Sequence, residues 1–135
     1  MTVSFRTTRR VEFVDTDMVG LVHFSNFFRY MEAAEVELLQ SLGLSVTSQP
    51  AGDQKVSFPR RAASCDFVGP ARFGDLLDIE VRIEKVGRSS ITYVFSFVNR
   101  GQPVAHGRIT AVCCRMTPEH LESIEIPPDV RKLLE

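Results

Sequence analysis

From Ser4 to Val14 the chain alternates, with Phe5, Thr7, Val11 and Phe13 on one side and mostly polar residues on the other. A period of two predicts a half-buried strand. The pattern then changes. From Ser25 or Asn26, both suited to capping a helix start, to Gly43, a good stop, the apolar residues recur at helical spacing. At ~100° per residue, Phe27, Tyr30, Met31, Ala34, Leu38 and Leu42 share one face. Phe28, Val36 and Leu39 widen it, and only Arg29, Ala33, Glu37 and Gln40 are left as a water-facing strip. Such a helix must be wrapped on most of its circumference.

Residues 45–55 read as a loop, after which period two returns. Val56–Phe67 reads as a strand with Pro59 near its start, at an edge or bulge. Gly69–Asp75 is a turn-rich link. Leu77, Ile79, Val81 and Ile83 then alternate with Asp78, Glu80, Arg82 and Glu84. Gly87-Arg88 turns this strand into Ile91, Tyr93, Phe95 and Phe97, and Asn99–Gly101 turns again into Val104–Arg115. A short helix closes the chain, with Pro127 and Pro128 at its start. Strands joined by tight turns make an antiparallel sheet, and one apolar helix needs cover. The economical arrangement is an α+β fold in which a curved antiparallel sheet wraps a long central helix, its unpaired edges favouring a homodimer.

Composition narrows the partners. A chain of 135 residues is expected to be one domain, residues 1–135. Sixteen basic and seventeen acidic side chains leave a formal charge of −1, which argues against nucleic-acid binding. Apolar runs are too short for a membrane span and the N-terminus has no apolar signal core, so a cytoplasmic protein is expected. Cys65, Cys113 and Cys114 have no zinc spacing and read as small core hydrophobes, Cys113 and Cys114 facing opposite ways along a strand. His106 and His120 have no visible partners, so no metal site is expected. No GxSxG, phosphate loop or dinucleotide fingerprint occurs.

The chemistry concentrates in "EFVDTDMVGLVHFSNFFRYMEAAE", Glu12–Glu35. Asp15 reads as a loop or helix cap. Asp17 stands near Gly20 and a helix N-terminus, whose first N–H groups lack internal partners. Those donors suit a carbonyl oxygen gaining charge. A nearby carboxylate would attack the carbonyl carbon or take a proton from water. A single acid suffices if the leaving group is a thiolate, given a thiol pKa of about 8.5. Phe24, Phe27 and Phe28 would hold an acyl group. His23 reads either as a partner of Asp17 or substrate, or as a wall residue with its ring satisfied. Glu32 reads either as partly shielded with its pKa raised or as making a buried hydrogen bond to the sheet.

These residues resemble the 4-hydroxybenzoyl-CoA thioesterase family of hotdog-fold proteins, including YbgC-like acyl-CoA thioesterases. The resemblance rests on "VEFVDTDMVGLVHFSNFFRYMEAAE", "GPARFGD" followed by "LLDIEVRI", and "GRSS", in that order across nearly the whole chain. It implies a hotdog fold and an acyl-CoA thioesterase, with coenzyme A as part of the substrate and no separate cofactor. It also implies Asp17 as the catalytic carboxylate, nucleophile or general base. The Phe24 backbone N–H would polarise the thioester carbonyl, with Gly20 as the loop glycine. His23 and Phe27 would line the substrate site, and Arg88, Ser89 and Ser90 would meet the nucleotide phosphates. Family members form homodimers, often paired into tetramers, with sites at the interface. His23 stands where the family usually has Tyr or Trp, and Phe24 where YbgC-like members often have His. Two other readings stay open: a thioesterase of acyl carrier protein, docking on Arg60, Arg61 and Arg72, and a non-catalytic acyl-CoA binder.

Overall fold

The computed structural model describes residues 2–45, 49–51 and 54–135. Strand β1 (Ser4–Arg10) leads to helix α1 (Ser25–Ser41), then to β2 (Gln49–Ala51), β3 (Gln54–Ser57) and β4 (Arg60–Phe67). The long strands β5 (Leu76–Val86), β6 (Ser90–Asn99) and β7 (Gln102–Val112) follow, then β8 (Cys114–Met116), β9 (Leu121–Ser123) and helix α2 (Pro128–Leu134). One antiparallel sheet of five strands has the order β1-β5-β6-β7-β4, and β2-β3-β8-β9 form a second, smaller one.

The register explains the two faces of the large sheet. Thr7, Ile79, Phe97, Ala105 and Phe67 align across its strands, as do Phe5, Val81, Phe95, Gly107 and Cys65. The intervening row is Arg6, Glu80, Ser96, His106 and Asp66, which is polar and faces away. Bulges interrupt the pairing at Arg60/Ala62, Ile83/Lys85 and Phe97/Val98. Bulges sharpen local twist and bend a strand, which lets the sheet curl around α1. The helix sends Phe27, Tyr30, Met31, Ala34, Leu38 and Leu39 into the core. Burying each of the larger of these contributes about 1.5–3 kcal/mol.

The ends of α1 differ in how they are closed. Leu44 N–H donates to Leu39 O and Gly43 N–H to Gln40 O, while Gly43 adopts φ +79°. That is a Schellman closure, which needs a left-handed residue that glycine supplies without strain. At the other end neither Ser25 nor Asn26 acts as the expected cap. Phe24 before them is already helical (φ −53°, ψ −34°), so there is no extended residue from which a cap could reach back.

Four strand boundaries differ from the sequence expectation. Strand β1 ends at Arg10 rather than Val14, because Val11 turns into the core and Phe13–Asp15 form a 3-10 turn. The strand expected over Val56–Phe67 is two, broken at Phe58-Pro59, since Pro59 has no N–H to continue a ladder. Within the stretch read as a loop, Gln49–Ala51 and Gln54–Lys55 are paired strand; residues 46–48 and 52–53 of it lie outside the described residues. The strand over Val104–Arg115 breaks at Cys113, whose N–H donates to Ser89 O as the chain crosses to the smaller sheet. Cys113 and Cys114 are both buried, and Cys65 is half-buried.

Helix α1 covers the middle of the sheet and leaves β4 standing at one edge. Nearly every residue of β4 is exposed. Among the described residues no strand pairs with its outer side, and Phe67 and Val68 are exposed at one end.

Candidate active site

The segment between β1 and α1 is a tightly bonded hairpin-like loop. Asp17 N–H donates to Leu21 O, His23 N–H to Asp15 O, and Gly20 N–H to Asp17 O. Thr16 and Val22 pair across it, and Val22 N–H donates to Ala71 O on the link before β5. Gly20 makes the turn at φ +81°, a conformation that side chains other than glycine strain to adopt.

Asp15 is the hub beneath this loop. Its buried Oδ2 accepts from Glu12 N–H at 3.0 Å and from the Tyr30 hydroxyl at 2.8 Å. Its Oδ1 lies 3.7 Å from an Arg29 nitrogen, and its backbone oxygen accepts from Asn26 Nδ2 at 2.8 Å. The capping role read from the sequence is what Asp15 performs. Burial, the Asp15 hydrogen bond and the nearby Asp15 charge all hold the Tyr30 phenol above its ordinary pKa. Asn26 therefore braces the loop rather than capping the helix.

Asp17 faces the surface, half-buried. Its Oδ1 accepts from Val19 N–H at 2.9 Å and Leu21 N–H at 3.2 Å. Among the described residues its Oδ2 has no hydrogen-bond partner. Two amides thus fix the plane of the carboxylate and leave one oxygen free. At the helix start, Asn26 N–H donates to His23 O and Phe27 N–H to Phe24 O, while the Phe24 N–H has no acceptor among the described residues. His23 does not reach Asp17. Its Nδ1 lies 2.8 Å from Ser25 Oγ and 3.3 Å from the Ser25 backbone nitrogen. The ring also stacks on Phe24 with centroids 4.6 Å apart. The contact with Asp17 expected in one reading of His23 is therefore not made, and Ser25 engages its Nδ1 instead.

Aromatic rings run from this rim into the core. Phe24 meets Phe67 at 6.3 Å, Phe67 meets Phe27 at 5.3 Å, and Phe27 meets Phe97 at 5.3 Å, edge to face. Phe24 and Phe67 are 59% and 47% exposed, so in a single chain the site is an open surface. Met18, Val19, Phe13 and Phe73 extend it as exposed apolar residues.

Arg88, Ser89 and Ser90 do not join this cluster. They form the turn at the far end of β5, whereas Leu76 at the near end follows Asp75, which accepts Val11 N–H. At ~3.3 Å per residue, β5 puts roughly 35 Å between them within one chain.

Sequence reasoning missed one buried acid. Glu32 is exposed, 3.6 Å from Arg60, whereas Glu35 is wholly buried, with Oε1 3.1 Å from Arg60 Nε. Among the described residues Glu35 Oε2 and the Tyr93 hydroxyl have no hydrogen-bond partner. The signal was available: Glu35 lies four residues from both Met31 and Leu39, inside the apolar arc. Among the described residues there is no group of metal-ligating side chains and no helix long and apolar enough to cross a membrane.

A long helix held in a curved antiparallel sheet, with an acid at the helix mouth, defines a hotdog-fold protein. Residues 11–134 match the model of the Thioesterase-like superfamily, and the chain belongs to that family. It is 31% identical over 118 residues to a 1,4-dihydroxy-2-naphthoyl-CoA hydrolase of Prochlorococcus marinus (strain MIT 9313), covering 83% of this chain and 78% of the relative. It is 27% identical over 113 residues to the acyl-CoA thioester hydrolase YbgC of Escherichia coli O6:H1, covering 84% and 83%. The solved structure of a 4-hydroxybenzoyl-CoA thioesterase mutant complexed with 4-hydroxybenzoyl-CoA superposes with a TM-score of 0.87 at 26% identity, over 98% of this chain and 99% of the other.

Proposed function

We propose that the protein is an acyl-CoA thioesterase, cleaving a thioester to a free carboxylic acid and coenzyme A with Asp17 as its acid. The observation that carries this is the Asp17 carboxylate, fixed through Oδ1 by two amides and free at Oδ2, on the same hairpin as the unpaired Phe24 N–H. In this reading the thioester oxygen accepts the Phe24 N–H, which stabilises the charge that develops there. Asp17 Oδ2 attacks the carbonyl carbon, expelling the thiolate and leaving a mixed anhydride for water to open, or it removes a proton from the attacking water. Gly20 holds the loop that presents the acid. His23 and Phe27, with Phe24 and Phe67, form walls for the acyl group. Water is the only co-reactant, so no separate cofactor enters.

The nucleotide would lie against Arg88, Ser89 and Ser90 of a second copy. Pairing β4 antiparallel with its own image sets Phe67 beside the partner's Arg60. Near Arg60 in the fold, Val112 N–H donates to Pro59 O and Val112 pairs with Ser90. The acid end of one chain thus approaches the phosphate-turn end of the other. Such a homodimer also covers Phe67 and Val68 and the free edge; whether two dimers join into a tetramer is a further step of the same reading. A cytoplasmic setting remains the expectation. The carrier-protein alternative loses one of its docking cations, because Arg60 is engaged by Glu32 and Glu35.

The test is thiol release from short, long and aromatic acyl-CoAs by wild type and Asp17→Asn. A fall of roughly 10²–10⁴-fold in kcat for a folded variant is expected. Tight binding of acyl-CoA by wild type without any thiol release would move the non-catalytic reading ahead.

A further inference from the structure

The turn between β5 and β6 is gripped from behind. Gly87 O accepts from Arg131 Nη2 at 2.6 Å, and Arg88 O accepts from the same nitrogen at 3.1 Å. Arg88 O also accepts Ile126 N–H at 2.9 Å, Ser89 O accepts Cys113 N–H at 2.6 Å, and Ser90 O accepts Gly87 N–H at 2.7 Å. The carbonyls of residues 87–90 are therefore all satisfied, by donors from α2, from the segment before it, from the end of β7 and from the turn itself. Among the described residues, the N–H groups of Arg88 and Ser89 and the hydroxyls of Ser89 and Ser90 have no partner. With its carbonyl oxygens tied to the body of the protein, the turn leaves two N–H groups, two hydroxyls that can donate and the exposed Arg88 guanidinium. Donors without competing carbonyls suit an anion.

Arg131 is itself held firmly. Val130 and Leu134 bury one side of α2, and Arg131 Nη1 lies 3.4 Å from Glu135. Besides this ion pair, its Nη2 serves two neutral carbonyls that no other side chain reaches among the described residues. Without it, Gly87 O loses its one donor among the described residues and can swing outward, setting a negative dipole end where a phosphate would lie.

We propose that Arg131 is a positioning residue for the nucleotide phosphates of acyl-CoA, locking the Gly87–Ser90 turn with its carbonyls inward and its donors outward. The proposal rests on the acyl-CoA reading above and adds a residue 43 positions from Arg88 in sequence. Lysine cannot reproduce it fully, since a single ammonium nitrogen cannot serve both the two carbonyls, as Nη2 does, and Glu135, as Nη1 does, from one fixed guanidinium plane.

The experiment pairs kinetics with binding on the full-length protein. Hydrolysis of an acyl-CoA and of the same acyl group on N-acetylcysteamine, which lacks the nucleotide, is measured for wild type, Arg131→Gln, Arg131→Lys and Arg88→Gln. Adenosine 3′,5′-bisphosphate is titrated against each by calorimetry. Arg131→Gln is expected to raise KM for acyl-CoA and weaken the bisphosphate about tenfold, a change of about 1.4 kcal/mol. Its kcat and its kinetics on the truncated thioester stay at wild-type values, and Arg131→Lys falls between. Equal losses on both substrates would reduce Arg131 to a structural residue and overturn the proposal, as would no change on either. If Arg131→Gln does not fold, the same comparison in Arg131→Lys decides. Bisphosphate affinity untouched by Arg88→Gln would overturn the placement of the phosphates. A wild type that hydrolyses neither thioester would overturn the acyl-CoA reading, while the bisphosphate titration still judges Arg131.

Discussion

The sulfur of Met31 occupies the space that a β-carbon on residue 107 would need. An ideal Cβ built on Gly107 would lie 2.1 Å from Met31 Sδ and 3.3 Å from its Cε. Helix α1 therefore rests directly on the backbone of β7, at the row where Gly107 aligns with Phe95 and Cys65. Substituting Gly107 by alanine should cost about 1–3 kcal/mol, the usual penalty of overfilling a packed core. Combining it with Met31→Ala should return part of that loss, because each change relieves the other. Urea unfolding of the two single variants and the double variant measures the coupling; strict additivity would show that the helix simply moves away.

Glu35 gives stability a pH dependence of definite sign. Burial pushes its carboxyl up to about 7 from 4.5, against the pull of Arg60, with Glu32 adding to the rise. Tyr93, whose phenol is raised first by its own burial and then by the Glu35 charge, faces the same space. A folded pKa above the unfolded one means that the folded state holds the extra proton. Its stabilising contribution is complete below about 4.5 and is lost as pH rises through about 7. Relative to Glu35→Gln, wild type should lose on the order of 2–3 kcal/mol between pH 5 and 8. Denaturation curves at the two pH values check it. A constant difference between the proteins would mean that Arg60 keeps the carboxylate charged throughout.

The free edge of β4 makes the assembly testable without mutation. A chain of 15.2 kDa is expected to sediment at twice that mass. The amides along the outer side of Arg60–Phe67 should be protected from hydrogen exchange in concentrated solution and lose that protection on dilution. Fast exchange there at every concentration would place the contact between copies on another surface.

Much of this architecture is written in the spacing of apolar residues. The alternation of Leu77, Ile79, Val81 and Ile83 and the helical arc from Phe27 to Leu38 depend only on neighbours along the chain. The bonding of the loop is partly local in sequence, since the Asp17 carboxylate accepts from Val19 and Leu21 and Asp15 bonds Glu12 and His23, whereas Asn26 and Tyr30 reach Asp15 from the helix. What stayed hidden depends on strand order. The distance between Asp17 and the Arg88 turn follows from the length of β5, and the grip of Arg131 on that turn spans 44 residues back to Gly87. Glu35 was overlooked although its helical angle places it inside, because its charge argued for water. Arg60, brought across from β4, and the raised affinity of the carboxyl for its proton together make that burial tolerable.

The polarity of β4 has a consequence for inheritance. If two chains pair along that edge, each centre takes its carboxylate from one polypeptide and its phosphate turn from the other. A cell carrying one allele that lacks Asp17 and another that lacks Arg88 would then assemble mixed pairs with one doubly damaged centre and one intact. Two defective genes would restore each other, and the direction of a single strand would decide which alleles complement.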